Sequence, residues 1–369
     1  MYWLPKQHKD PVGSRFVVSG KKCTVKTLSK DIAKSLRIVL KSVKFKCTYE
    51  DKFEKSSLFW IINNSQKVHE NIYNINLNSS AKSVYTADFS TLYTLIPHEQ
   101  LLERVTEMVT LGYKISGKKY IRVNSKNATW RDKLPVNSKC VHFDHKELME
   151  AVELLLENIY IKFNNSVYKQ NVGIPIGSDC AQELANLYLL SYEYSYVMSL
   201  RDNGHEDSHF LQYPNRYIDD LLSLNDSGYI ERVYKDIYPD VMVLNKTNNT
   251  PDKATYLDIN IEIINGKFVT KIYDKRRDFN FKIISLPHIS GNVPVTPTYG
   301  VFISQVHRFF TANNSIEGFY AEVKALTSKL VKQGFTRNKM KYFLVKYVHN
   351  RFLDITFKYW AKFDICRCF

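Results

Sequence analysis

The stretch Asn215-Arg216-Tyr217-Ile218-Asp219-Asp220-Leu221-Leu222-Ser223, NRYIDDLLS, sets two adjacent carboxylates inside an apolar run. Side by side they repel, and burying them is costly unless something positive sits on them. The run lies between two β-prone segments and reads as a hairpin whose tip carries the acidic pair. Consecutive side chains on a strand point to opposite faces, so both aspartates serve one ion only if they lie in a tight turn. A divalent cation would offset the cost, since Mg²⁺ takes carboxylate oxygens and keeps waters for substrate phosphates. A solvated acidic turn is the other reading of this stretch alone.

A second carboxylate narrows the choice. Ala87-Asp88-Phe89-Ser90-Thr91-Leu92-Tyr93 places Asp88 at the end of another apolar, β-prone run. Two sheet-borne acids from separate strands are what two-metal phosphoryl transfer needs, with ions about 3.5–4 Å apart. Taken singly, Asp88 also reads as an ordinary strand-end cap.

The 369 residues, 44% hydrophobic, suffice for two or three packed units. A formal net charge of +15 biases the surface toward polyanions, nucleic acid or anionic membrane. No apolar run reaches the roughly 18 residues of a membrane span, and no signal-peptide pattern opens the chain, so nucleic acid is favoured. Six scattered cysteines read as reduced thiols of an intracellular protein, nucleus or cytoplasm left open. Cys140, His142 and His145 have metal-ligand residue types but lack a second cysteine pair to complete a tetrahedral site.

Along the chain, residues 1–20 read as two short extended pieces around a turn. Helices are predicted over about 29–43, 56–73, 98–111, 146–158, 179–200 and 229–238. A strand is predicted over 83–89, a long polar loop or insertion over 113–145, and a hairpin through IYIKF-NN-SVYKQ. VMVLN, YLDINIEII and KFVTKIYD read as further strands, and from Tyr299 the pattern is helical and basic. The order of acid-bearing strand, glycine-bearing turn and helix, acid-bearing hairpin and strands describes an α+β palm-like sheet between two basic lobes.

At this point the residues resemble the reverse transcriptases. YTADFSTLYTLIP is similar to their motif A, GIPIGSDCAQELANLYL to motif B and RYIDDLLS to motif C, in the same order. PKQHKDPVGSRFVV resembles the fingers segment, DVMVLNKTN motif D, and YGVFISQVHRFF with its basic helices the thumb. The resemblance covers nearly the whole chain and is nearest in flavour to Penelope-like retroelements. It implies a right-hand polymerase fold with fingers, a ferredoxin-like antiparallel palm sheet and a helical thumb. The implied domains are fingers over 1–83, palm with motif A over 84–112, insertion, helix and hairpin over 113–172, palm with motifs B to D over 173–290, and thumb and tail over 291–369.

The same resemblance implies roles by position. Asp88 and Asp219 would ligate two Mg²⁺ ions, with Mn²⁺ as a substitute, Asp220 would be a weaker ligand, and the Phe89 carbonyl a further one. Tyr93 falls where an aromatic gate excludes the ribose 2′-OH, with a core tyrosine as the other reading. Lys9 and Arg15 would grip the triphosphate, suiting point-charge and bidentate contact respectively, with a solvated basic turn as the other reading. Lys246 would protonate the leaving pyrophosphate. Gly173 and Gly177 flank the motif B turn, where bare backbone can approach the nucleotide, and Gly177 is placed among the nucleotide-binding residues. Read from spacing alone, Gln305 and Arg308 lie one helical turn apart, where they could contact the primer, and the basic, aromatic run Arg337 to Phe352 reads either as following a phosphate backbone or as an amphipathic helix with a solvated basic face.

The sequence departs from the family at Ile176, Asp179 and Ala181-Gln182 of motif B, which bears on nucleotide positioning. It opens almost on the fingers motif, as expected of a truncated reading frame from a decayed element. The implied activity is RNA-directed DNA polymerisation, with RNA template, DNA or RNA primer and dNTPs as partners, no membrane, and oligomeric state open. A relic that binds nucleic acid without polymerising and an RNA-dependent RNA polymerase are the alternatives.

Overall fold

The computed structural model describes residues 2–6, 13–20, 23–134, 140–281, 283, 288–351 and 364–368. In chain order the elements begin with strands β1 (Tyr2–Lys6) and β2 (Gly13–Val17), helices α1 (Lys26–Glu50) and α2 (Gln66–Asn78), and strand β3 (Val84–Phe89). Next come α3 (Leu92–Leu95), α4 (His98–Ser116), β4 (Tyr120–Val123), β5 (Ala128–Arg131), β6 (Val141–Phe143) and α5 (His145–Glu157). The hairpin β7 (Tyr160–Phe163) and β8 (Ser166–Lys169) follows, then α6 (Ala181–Asp202), β9 (Pro214–Tyr217), β10 (Asp220–Leu224), α7 (Tyr229–Ile237) and β11 (Leu244–Lys246). The chain continues through β12 (Lys253–Tyr256), β13 (Ile259–Ile264) and β14 (Lys267–Ile272) to α8 (Val295–Ala312), α9 (Ile316–Val331) and α10 (Arg337–Asn350).

These elements form two compact units, one from Met1–Asn63 and Ala87–Thr247, the other from Asn64–Thr86 and Asn248–Phe369. The first contains a four-stranded sheet in the order β11-β3-β10-β9, with β11 antiparallel to β3 and β10 to β9. Helix α6 is buried nearly all round in its first half, where Leu184, Ala185, Leu187, Tyr188, Leu189 and Leu190 are all 0% exposed, and it carries Glu183, Asn186 and Glu193 into the interior with them. Helix α4 packs against α1, α5 and α6. Its close approach to α1 depends on Gly112, where a Cβ would stand 2.7 Å from Val39 Cγ1.

Two expectations are corrected in this unit. Residues 113–145 are not one loop: β4, β5 and β6 form a three-stranded sheet in the order β5-β4-β6. Its apolar residues Ile121, Val123 and Phe143 are buried, and Trp130 Nε1 donates to Ser42 Oγ of α1 at 3.1 Å. Only three or four residues per strand alternate, too few to stand out from the lysines around them. The helix predicted from Ser56 starts at Gln66 instead. Leu58, Trp60, Ile61 and Ile62 are buried in extended backbone, which bonds β9 through Arg216 N–H to Trp60 O at 2.6 Å and Ile62 N–H to Arg216 O at 2.9 Å. An unbroken apolar run fits a buried edge segment as well as a helix, and burial beside β9 decides it.

In the second unit, β12, β13 and β14 form an antiparallel sheet joined by α2 and by α8 to α10. Asn76 of α2 docks on β14 as a strand would, donating to Phe268 O at 2.9 Å and accepting from Phe268 N–H at 2.8 Å. Phe302, Val306, Phe319, Val323, Met340 and Leu344, all 0% exposed, fill the helical core. No helix among the described residues is long and apolar enough to cross a membrane.

Candidate active site

The acidic hairpin forms as its sequence suggests. Asp220 pairs with Tyr217 across β10 and β9, which leaves Ile218 and Asp219 as a two-residue turn. Both aspartates therefore sit at the tight turn that lets neighbours serve one centre, and both are half-buried. Ile218 takes φ +58°, a first-turn-position conformation that glycine normally occupies. For a β-branched residue this conformation costs on the order of 1–3 kcal/mol, so the surroundings must enforce it.

They do so from two sides. Phe89 N–H, on the neighbouring strand, donates to the Asp219 carbonyl at 3.0 Å. Arg216 Nη1 donates to the Ile218 carbonyl, also at 3.0 Å. The first bond sets Asp219 directly beside the residue that follows Asp88. Asp88 is half-buried on β3, while Phe89 points to the opposite face, is 2% exposed and meets Tyr238 edge-on at 4.9 Å between ring centroids. In a strand the N–H and C=O of one residue leave by the same edge, so the Phe89 carbonyl also faces the Asp219 side.

The donor set fits a hard divalent cation, being oxygen throughout: carboxylates of Asp88, Asp219 and Asp220 and the Phe89 carbonyl. Among the described residues no group of three or more His, Cys, Asp or Glu side chains is gathered closely enough to hold a metal ion, the aspartates and the Cys140, His142 and His145 cluster included. Mg²⁺ held by one or two carboxylates and substrate phosphates needs no such finished cage.

The remaining candidates fall in several places. Tyr93, in α3, is half-exposed rather than a core tyrosine, and its carbonyl accepts from Ile174 N–H at 2.8 Å. The segment after motif A is thereby tied to the motif B turn. Lys246 is not brought to the acids. It pairs with Ala87, so its side chain lies on the face opposite Asp88, and its Nζ contacts Glu231 Oε2 at 2.7 Å. Arg15 lies in β2 opposite Leu4, and Lys9 falls outside the described residues. Gln305 and Arg308 are one turn apart on α8 in the second unit. With Arg276, Arg277, Glu322 and Lys329 they line a cavity of about 420 Å³, and Arg308 is ion-paired to Asp258 at 3.2 Å. Of the basic run from Arg337, α10 carries the residues to Asn350, and Phe352 lies outside the described residues.

The two glycines of motif B let distant segments of the chain approach each other closely. A Cβ on Gly173, φ +80°, would lie 2.4 Å from the Tyr93 carbonyl, and one on Gly177, φ +128°, would lie 2.0 Å from the Val18 carbonyl. Gly177→Ala is accordingly expected to lower stability by roughly 2–4 kcal/mol, because the obstacle is backbone and the φ is hostile to a side chain. Urea unfolding would measure it, and a loss under 1 kcal/mol would mean that Val18 simply moves aside. The charge at Asp179 is matched by Lys26, whose Nζ lies 2.6 Å away.

Arg216, Glu193, Asn186 and Tyr238 drew no functional expectation from sequence, yet they lie directly behind the turn. Arg216 and Glu193 are both 0% exposed and joined by Nε to Oε1 at 2.5 Å and Nη2 to Oε2 at 3.1 Å. The available signal was an arginine just before the β-prone run YIDDLLSL and a glutamate within a helix rich in leucine and tyrosine, each demanding a partner if buried.

No protein-family model matches the chain, and no curated protein matches its sequence. Among solved structures it is similar to telomerase from Candida albicans in complex with a TWJ fragment of telomeric RNA. The TM-score is 0.58 at 11% identity, over 92% of this chain and 54% of that one. Apo telomerase from Candida tropicalis gives a TM-score of 0.48 at 11% identity, over 88% and 54% of the two chains. The chain thus spans about half the length of these telomerase chains. The first likeness shows the fold, which is reverse-transcriptase-like.

Proposed function

We propose that the chain is an RNA-directed DNA polymerase that extends a primer from dNTPs by two-metal nucleotidyl transfer. The observation that carries this reading is the Phe89 N–H bond to the Asp219 carbonyl, 3.0 Å, which joins the motif A strand to the tip of the acidic hairpin. The reverse-transcriptase-like fold supports it, and the RNA in the Candida albicans telomerase structure supports an RNA partner. Residues 1–83 are read as fingers, 84–112 and 173–290 as palm, and 291–369 as thumb, in a retroelement enzyme of Penelope-like flavour.

Asp88 and Asp219, with Asp220 and the Phe89 carbonyl, would hold Mg²⁺ or Mn²⁺. Ions bound there would activate the primer hydroxyl and stabilise the leaving pyrophosphate. Tyr93, half-exposed beside the motif A strand, would stand against the sugar and exclude a 2′-OH by shape. Arg15, with Lys9, would draw in the triphosphate, and Gln305 and Arg308 would contact the primer. Lys246 would have to leave Glu231 to reach a leaving group, so its protonating role is the least supported by the geometry.

The test is extension of oligo(dT) on poly(rA) with dTTP and Mg²⁺, repeated with UTP. Wild-type protein is expected to extend with dTTP, and Tyr93→Ala is expected to erode discrimination against UTP by roughly tenfold or more. Folded wild type that binds the duplex without extending it would leave only a nucleic-acid-binding protein. A preference for UTP would point instead to RNA synthesis.

A further inference from the structure

We infer that the buried Arg216–Glu193 pair is a positioning device that holds the Ile218–Asp219 turn against Phe89, and thereby keeps Asp219 beside Asp88. The inference deepens the reading of these aspartates as the metal site and rests on it for its functional meaning. Neither Arg216 nor Glu193 is among the metal-ligand candidates.

The guanidinium has five N–H donors, and five bonds use them. Nε and Nη2 go to the two Glu193 oxygens at 2.5 and 3.1 Å. Nη1 goes to Asn186 Oδ1 and to the Ile218 carbonyl, both at 3.0 Å. Nη2 also reaches the Asn186 carbonyl at 3.3 Å. Glu193 accepts a further bond from the Tyr238 hydroxyl at 2.9 Å, and the Tyr238 ring meets Phe89 edge-on. Phe89 in turn binds the Asp219 carbonyl. The contacts close a ring: Arg216, Glu193, Tyr238, Phe89, Asp219, Ile218 and back to Arg216.

Two successive carbonyls of a strained turn are thus gripped by two members of one buried network. Taking an ion pair out of water is expensive, and apolar replacements of similar volume are often no less stable, so packing alone does not account for it. Lysine would not substitute, because a point charge cannot serve the Glu193 carboxylate, Asn186 and the Ile218 carbonyl together.

The test uses the full chain carrying Arg216→Met and Glu193→Met together, with and without Ile218→Gly. The first readout is hydrogen exchange at the Phe89 amide without metal; the second is Mn²⁺ binding followed by electron paramagnetic resonance. The double variant is expected to fold, to exchange the Phe89 amide at least tenfold faster than wild type, and to bind Mn²⁺ at least tenfold more weakly. Adding Ile218→Gly is expected to recover much of both losses, because glycine adopts φ near +58° without a Cβ penalty. That rescue is the outcome a merely structural role would not give.

Unchanged exchange at Phe89, or a loss that glycine does not recover, overturns the inference. If the double variant does not fold, Arg216→Lys is subjected to the same pair of measurements and the same criteria. Wild type lacking Asp219-dependent Mn²⁺ binding would instead overturn the metal-site reading, while exchange at Phe89 still decides the positioning role.

Discussion

Asp219→Asn is expected to reduce Mg²⁺-dependent primer extension by on the order of 10³-fold, about 4 kcal/mol of transition-state stabilisation. Asn preserves the shape of the side chain and leaves the backbone bond to Phe89 untouched, but it removes the negative charge that would draw a cation to the turn. Asp88→Asn is expected to have a loss of the same order. Neither change should lower stability by more than about 1 kcal/mol, since both carboxylates are half-exposed. Mg²⁺ should raise the melting temperature of wild type but not of Asp219→Asn, because only a native state that binds the ion is stabilised by it. Extension within tenfold of wild type in both variants would remove these residues from the chemistry.

The second large effect concerns stability. Arg216→Ala is expected to cost roughly 3–5 kcal/mol, because it leaves Glu193 buried at 0% exposure without its counter-charge. The Tyr238 hydroxyl and any water entering the space left behind would offset only part of this. Urea unfolding followed by tryptophan fluorescence would report it, Trp60 being fully buried in the extended segment bonded to Arg216. A loss below 1 kcal/mol would mean that Glu193 is neutralised or finds another partner.

Much of the site was legible because its signals are local. Two aspartates between apolar β-prone runs announced a hairpin, Asp88 closing a strand announced a second acid, and Gly173 and Gly177 announced a sharp turn before a long apolar helix. What the glycines approach was not legible: the Val18 and Tyr93 carbonyls lie far off in sequence. Lys246 illustrates the other limit. Its proximity in sequence to the motif D strand was readable, but its face depends on register, and pairing with Ala87 rather than Asp88 turns the ammonium away. The buried residues behind the turn escaped for a similar reason. Arg216 appears just before a β-prone run and Glu193 within a helix rich in leucine and tyrosine, and only the fold shows that each answers the other.

The closed ring of contacts behind the turn also sets a timetable. A two-residue hairpin can close on its own within about 1–10 μs, since its strands are adjacent in the chain. Ile218 resists its place in that hairpin, and the groups that restrain it come from residues 89, 186, 193 and 238. Such distant pairings form late, because the chain must surrender loop entropy before they yield any return. During synthesis the acids would therefore emerge before Tyr238, the last member of the ring, and the hairpin would remain pliable until that residue arrives. The aspartates should accordingly acquire their fixed geometry only once the first unit is nearly complete.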